Sequence, residues 1–144
     1  FGSGANGTIN TSATLTSVQV NPTGSNTITL GGNLSVTTLT ITSGIFTTAG
    51  YSISCGSFVS SGSAIRTINI SNSTITTSSQ GNAWNLLATN LTFTSTNSSI
   101  VIGGTSGTST RNFIGAGLTY NNVTFSNTVG NAAITGSNIF NTLY

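Results

Sequence analysis

Thr27-Ile28-Thr29-Leu30-Gly31-Gly32-Asn33-Leu34-Ser35-Val36-Thr37-Thr38-Leu39-Thr40-Ile41-Thr42-Ser43-Gly44 holds the pattern that organises this chain. Ile28 and Leu30 alternate with threonine, and Gly31-Gly32-Asn33 breaks the run. Leu34 and Val36, then Leu39 and Ile41, resume it until Ser43-Gly44 closes it. Apolar side chains point one way, hydroxyl side chains the other. That is the period-two signature of a half-buried strand. Glycine, asparagine and serine between strands suit tight turns that need positive φ.

The same scheme extends in both directions. Upstream, Leu15, Val18 and Val20 alternate until Pro22, Gly24 and Asn26 interrupt. Downstream come Ile45-Phe46, then Tyr51, Ile53 and Cys55, then Phe58-Val59, then Ile65, Ile68, Ile70 and Ile75. The second half uses larger residues: Trp84, Leu86, Phe93, Ile100, Ile102, Phe113, Tyr120, Val123, Phe125, Ile134, Ile139, Phe140 and Leu143.

Composition supports strands over disorder. The chain has 29 Thr, 23 Ser, 18 Asn and 18 Gly among 144 residues. Disordered chains are poor in β-branched and aromatic residues. Here 14 Ile, 7 Val and 11 aromatic residues recur at regular spacing. Strong helix formers are nearly missing, so the chain is expected to be all-β.

Repetition is loose. A tetrad of polar, apolar, Thr, apolar starts at Thr38, Asn90 and Asn122, with a degenerate copy at Asn72. The spacings suggest multiples of about 17 residues, the kind of period that marks a repeat array. Tyr120-Asn121-Asn122-Val123 and Phe140-Asn141-Thr142-Leu143 suggest a frame of 20 instead. The expected fold is a parallel β-solenoid in which like side chains stack coil on coil. The alternative is an antiparallel β-sandwich or jelly roll. Residues 1–144 are read as a single β-repeat domain or a segment of a longer array.

Gly117-Leu118-Thr119-Tyr120-Asn121-Asn122-Val123-Thr124-Phe125 and Ile134-Thr135-Gly136-Ser137-Asn138-Ile139-Phe140-Asn141-Thr142-Leu143 carry a resemblance. So do Gly32-Asn33-Leu34-Ser35-Val36 and Phe46-Thr47-Thr48-Ala49-Gly50-Tyr51. The chain resembles Ser/Thr/Asn/Gly-rich repeat segments of large extracellular proteins of environmental bacteria and their phages. The resemblance implies a secreted, β-helical surface or fibre protein, and it carries over no catalytic residue.

The charge inventory excludes much chemistry. The chain has no Asp, Glu or His, and its two cationic side chains are Arg66 and Arg111. Glycoside hydrolysis draws on two carboxylates, and a Ser or Thr nucleophile needs a base. Zinc sites need clustered Cys and His, and calcium sites draw on carboxylates. The chain is therefore read as a non-enzyme with no metal and no cofactor. Two distant arginines make no nucleic-acid footprint. No apolar run approaches the length of a membrane helix. The lone Cys55 is expected to pack as a small hydrophobe, with no basic neighbour to activate it. Arg66 and Arg111 are expected at turns or on the surface. The Gly103-Gly104-Thr105-Ser106-Gly107 run is read as a turn. The chain opens at Phe1 without a signal-like stretch, so a processed or partial chain is expected.

Three features remain as candidate sites. Trp84 and Tyr120, with Tyr51 and Tyr144, are candidate glycan contacts, against the simpler reading that they pack in the core. Asn-x-Ser/Thr sequons at Asn6, Asn10, Asn33, Asn69, Asn72, Asn90, Asn97 and Asn122 are possible N-glycosylation sites; about six or seven would arise by chance in this composition. Thr-x-Thr units at Thr14/Thr16, Thr27/Thr29, Thr38/Thr40/Thr42, Thr74/Thr76 and Thr92/Thr94/Thr96 could bind ice if they aligned, but their spacing is uneven. The leading expectation is a structural segment of an extracellular or virion-surface fibre that self-associates through β-stacking. A glycan-binding adhesin or tail-fibre stalk is the alternative, and an ice-binding solenoid the lesser one.

Overall fold

The computed structural model describes residues 2–104, 109–126 and 130–144, with side chains from residue 4. Thr105 to Gly107 of the expected glycine-rich turn lie outside these residues. The alternating segments become sixteen strands: β1 (Gly2–Ser3), β2 (Gly7–Ile9), β3 (Leu15–Pro22), β4 (Thr27–Leu30), β5 (Leu34–Ile41), β6 (Gly44–Thr47), β7 (Ile53–Ser60), β8 (Arg66–Asn69), β9 (Thr74–Thr77), β10 (Gly81–Leu86), β11 (Leu91–Thr94), β12 (Ser99–Ile102), β13 (Thr110–Ile114), β14 (Thr119–Phe125), β15 (Asn131–Thr135) and β16 (Ile139–Leu143). The described residues include no helix.

Every strand pair among the described residues is parallel. The chain therefore winds as a β-solenoid, and the antiparallel sandwich is excluded. In each of the first coils a four-residue strand or shorter is followed by a long one. The short strands β2, β4, β6, β8 and β11 stack in that order as one five-stranded sheet. The long strands β3, β5 and β7 stack as a second, larger sheet. From the next coil the long strand is broken in two. The first half of β7 pairs with β9 and its second half with β10. The breaks continue as β12/β13 and β14/β15.

The interior is built from ladders of like residues. One column runs Leu34–Ile53–Ile75–Ile100–Val123–Leu143. A second runs Val18–Leu39–Phe58–Trp84–Phe113–Ile134, swelling from aliphatic to aromatic and back. Where this column is widest the coil is longest. Leu39 and Phe58 are 19 residues apart, whereas Phe58 and Trp84 are 26 apart and Trp84 and Phe113 are 29 apart. The pairing resumes after each longer coil, apart from a register shift between Asn82 and Trp84.

That variability explains why a fixed period misleads. In the five-stranded sheet successive coils are offset by 21, 18, 22 and 25 residues. The 17-residue frame is wrong: Leu39, Leu91 and Val123, equivalent in the tetrads, sit in strands β5, β11 and β14, which do not pair with one another. The 20-residue frame is correct for the last coils, where Tyr120 pairs with Phe140 and Val123 with Leu143.

Corners rely on residues that tolerate positive φ. Asn72 and Asn97 both turn there, at φ 60° and 54°. They stack one coil apart, the Asn97 Nδ2 donating to the Asn72 Oδ1 at 3.3 Å. Similar amide bonds join Asn112 to Asn82 at 2.9 Å and Asn141 to Asn121 at 3.4 Å. Gly44 is the tightest corner, at φ 71°, where a Cβ would lie 2.8 Å from the Pro22 carbonyl oxygen and 3.1 Å from that of Asn26. Gly44→Ala is expected to cost about 2–4 kcal/mol, from left-handed strain plus this clash. Chemical denaturation checks it; a loss below ~0.5 kcal/mol contradicts the close packing.

Candidate functional site

The outer face of the five-stranded sheet is its most regular surface. Inward residues Ile28, Phe46 and Ile68 are buried, so their neighbours point out. One outward column holds Thr8, Thr29, Thr47, Asn69 and Thr94. The other holds Thr27, Ile45, Thr67 and Thr92. Pairing on this sheet is one-to-one throughout, unlike the shift between Asn82 and Trp84 elsewhere. Seven of these nine positions are threonine. The Thr47 hydroxyl accepts from the Ala49 amide at 3.3 Å. Among the described residues, the other six hydroxyls have no protein partner. Some small polar side chains elsewhere are tied between coils: Thr14 Oγ1 donates to Ser35 Oγ at 3.1 Å, and Ser43 Oγ to Asn21 Oδ1 at 2.6 Å.

The Thr-x-Thr units of the sequence are thus divided among faces. Thr27/Thr29 and Thr92/Thr94 share the five-stranded sheet, while Thr38/Thr40 and Thr74/Thr76 lie on the larger one. The isolated Thr8, Thr47 and Thr67 complete the columns. Motif spacing missed them because each stands in a different local context.

A second feature is the C-terminal end of the stack. Ile134 and Leu143 occupy interior columns, yet they are 42 % and 45 % exposed because no described coil covers them. Ile139 and Tyr144 beside them are more exposed still. β15 and β16 are terminal strands of their sheet, with one hydrogen-bonding edge open.

The aromatic candidates are interior. Trp84 and Tyr120 are both fully buried. Trp84 stacks on Phe58 at 4.4 Å and near-parallel to Phe113 at 5.9 Å. Its Nε1 donates to the Tyr120 hydroxyl at 3.3 Å, which donates to the Gly115 carbonyl at 2.8 Å. Neither ring offers a face to a sugar, which corrects the expectation of a glycan platform. The physical reason is that each fills the widest part of the interior with its polar atom already bonded. Tyr51 and Tyr144 are exposed but stand on different coils.

Of the eight sequon asparagines, Asn6, Asn10, Asn33, Asn72, Asn90 and Asn97 are exposed, and Asn69 and Asn122 are half-buried. Several are occupied in the fold. Asn6 Oδ1 accepts from the Thr27 amide at 2.8 Å, and Asn33 Oδ1 from the Ser52 amide at 2.9 Å. Asn90 Nδ2 donates to the Ser63 carbonyl at 2.8 Å.

Both arginines are buried, against the surface half of their expectation. Arg66 does hold corners. Its five N–H groups bond Ser60 Oγ and the carbonyls of Ala64, Thr89, Ser60 and Leu87. Burial lowers its pKa from the ordinary value. Arg111 lies under Gly104, where a Cβ would stand 2.9 Å from its Nη2.

Cys55 packs as a small hydrophobe, and burial pushes its thiol up from 9.0 to about 12. Burial also raises Tyr120 above its usual 10.0, with the Trp84 hydrogen bond opposing. In both cases the folded state keeps a proton that the unfolded chain releases. Stability is therefore full below about pH 9 and falls as pH climbs toward the folded values, by up to about 1.4 kcal/mol per pH unit for each group. With no carboxylate or imidazole side chain, melting temperature is expected to stay flat between about pH 4 and 9. Cys55→Val should shallow the alkaline fall. A transition near pH 6 contradicts the assignment.

No family model matches the chain, and comparison with curated proteins and solved structures likewise returns no match. The class is set by the fold alone: a parallel β-solenoid.

Proposed function

We propose that this chain is a structural module, a length of β-solenoid that forms part of an extracellular or virion-surface fibre. The observation that supports this best is the open C-terminal end. Interior columns stop at exposed Ile134 and Leu143, and two strand edges stand free. Covering an aliphatic side chain of this size stabilises by about 1.5–3 kcal/mol, and edge pairing adds backbone bonds. A further coil, from the same polypeptide or from a second copy, continues the interior columns that end at Ile134 and Leu143. Edge strands are normally guarded by charge. β15 and β16 carry none. Secretion fits a surface of hydroxyls and amides.

The test is electron microscopy and sedimentation of the chain over a range of concentration. Concentration-dependent rods or filaments are expected. Ile139→Lys with Leu143→Lys should leave a folded monomer by circular dichroism. A wild-type chain that stays monomeric at high concentration, or a variant that assembles equally well, overturns the reading.

A further inference from the structure

We propose that the threonine face of the five-stranded sheet binds ice. Along the solenoid axis each column steps at the strand spacing of about 4.8 Å, with threonine at every step but Asn69 in one column and Ile45 in the other. Along each strand the two columns stand about 6.7 Å apart, twice the rise per residue. Both distances fall near oxygen repeats of hexagonal ice. Uneven coil lengths do not disturb this lattice, because extra residues go to corners and the register stays one-to-one.

Chemistry agrees with spacing. Each threonine offers a methyl that excludes disordered water and a hydroxyl that can hold an ordered one. Six of the seven hydroxyls have no protein partner among the described residues, whereas Thr14 and Ser43 at corners are bonded between coils. No charged side chain lies in either column, so no ionic hydration shell competes with the lattice. No aromatic ring lies there either, which disfavours a crystalline polysaccharide, since sugars stack on exposed rings. The seven threonines stand on strands held by the stack on one side and the buried ladder beneath. Their positions are fixed before water arrives.

The experiment measures thermal hysteresis and partition into growing ice, using the whole chain. Wild type should show both. Thr29→Lys with Thr67→Lys, one in each column, should lose both while keeping the β-rich circular dichroism spectrum. Thr40→Lys, outward on the other sheet, should keep both. If the double variant fails to fold, Thr92→Lys on the exposed edge strand replaces it and should sharply reduce both readings. Absence of hysteresis in the wild type overturns the proposal. So does equal loss in Thr40→Lys, or binding of the wild type to crystalline cellulose without ice activity. Filament formation is scored on the same samples by microscopy. Assembly without ice binding, or ice binding by monomers, separates this outcome from the fibre reading.

Discussion

Replacing Trp84 with alanine is expected to lower unfolding free energy by about 3–5 kcal/mol. The ring is the widest rung of a continuous column, between Phe58 and Phe113. Phe93 and Tyr120 meet it edge-on, at 6.4 Å and 6.2 Å. Truncation opens a cavity that neighbouring coils cannot collapse to fill, because their backbone spacing is set by strand pairing. It also removes the indole donor from the Tyr120 hydroxyl, which keeps its bond to the Gly115 carbonyl. A domain of this size usually has about 5–15 kcal/mol in hand, so the variant sits near the edge of folding. Trp84→Phe keeps the stack and loses the N–H, and should cost less, about 1–2 kcal/mol. Urea titration followed by circular dichroism measures both. A Trp84→Ala cost under ~1 kcal/mol contradicts the packing.

Arg66→Ala is expected to cost about 3 kcal/mol or more, although no carboxylate pairs with it. All five guanidinium donors are used, at 2.6–3.3 Å, and four of the acceptors are main-chain carbonyls. Those carbonyls come from two successive corners, Ser60 and Ala64 in one, Leu87 and Thr89 in the next. Removing the side chain takes this donor from the part-buried carbonyls of Ala64, Leu87 and Thr89 and empties a fully buried site between the corners. Arg66→Lys restores charge but not the planar fork, and should recover only part of the loss. Arg66→Met fills volume without donors. If Met matched wild type, packing rather than the bonds would be the cause.

The strands were legible because alternation is local. Residues 27–41 announce β4 and β5 on their own. Uncharged repeats favour a parallel stack, but only the strand pairing excludes the antiparallel sandwich. Coil length was not legible. Asn, Ser and Gly serve both as ladder residues and as corners, so Asn72 at a turn and Asn122 in β14 look alike in sequence. The threonine columns were half-visible. Thr27/Thr29 and Thr92/Thr94 stood out, but Thr47 and Thr67 gain meaning only from neighbours one coil away. Arg66 is expected at a turn or on the surface, and the turn half holds; its burial gave no signal. Its column partners are Gly44 and Leu91, so the same place is held by three unrelated residues, one of them without a side chain.

The orientation of the pairing has a mechanical consequence. Hydrogen bonds between coils run along the solenoid axis, and the chain's two ends lie at opposite ends of that axis. A pull on the ends therefore loads one coil boundary at a time rather than shearing many together. Each coil occupies about 4.8 Å of axis. Released, its 18 to 29 residues span roughly 60–100 Å. A rod of this kind yields by unspooling turn by turn, lengthening more than tenfold locally while the remaining turns stay wound.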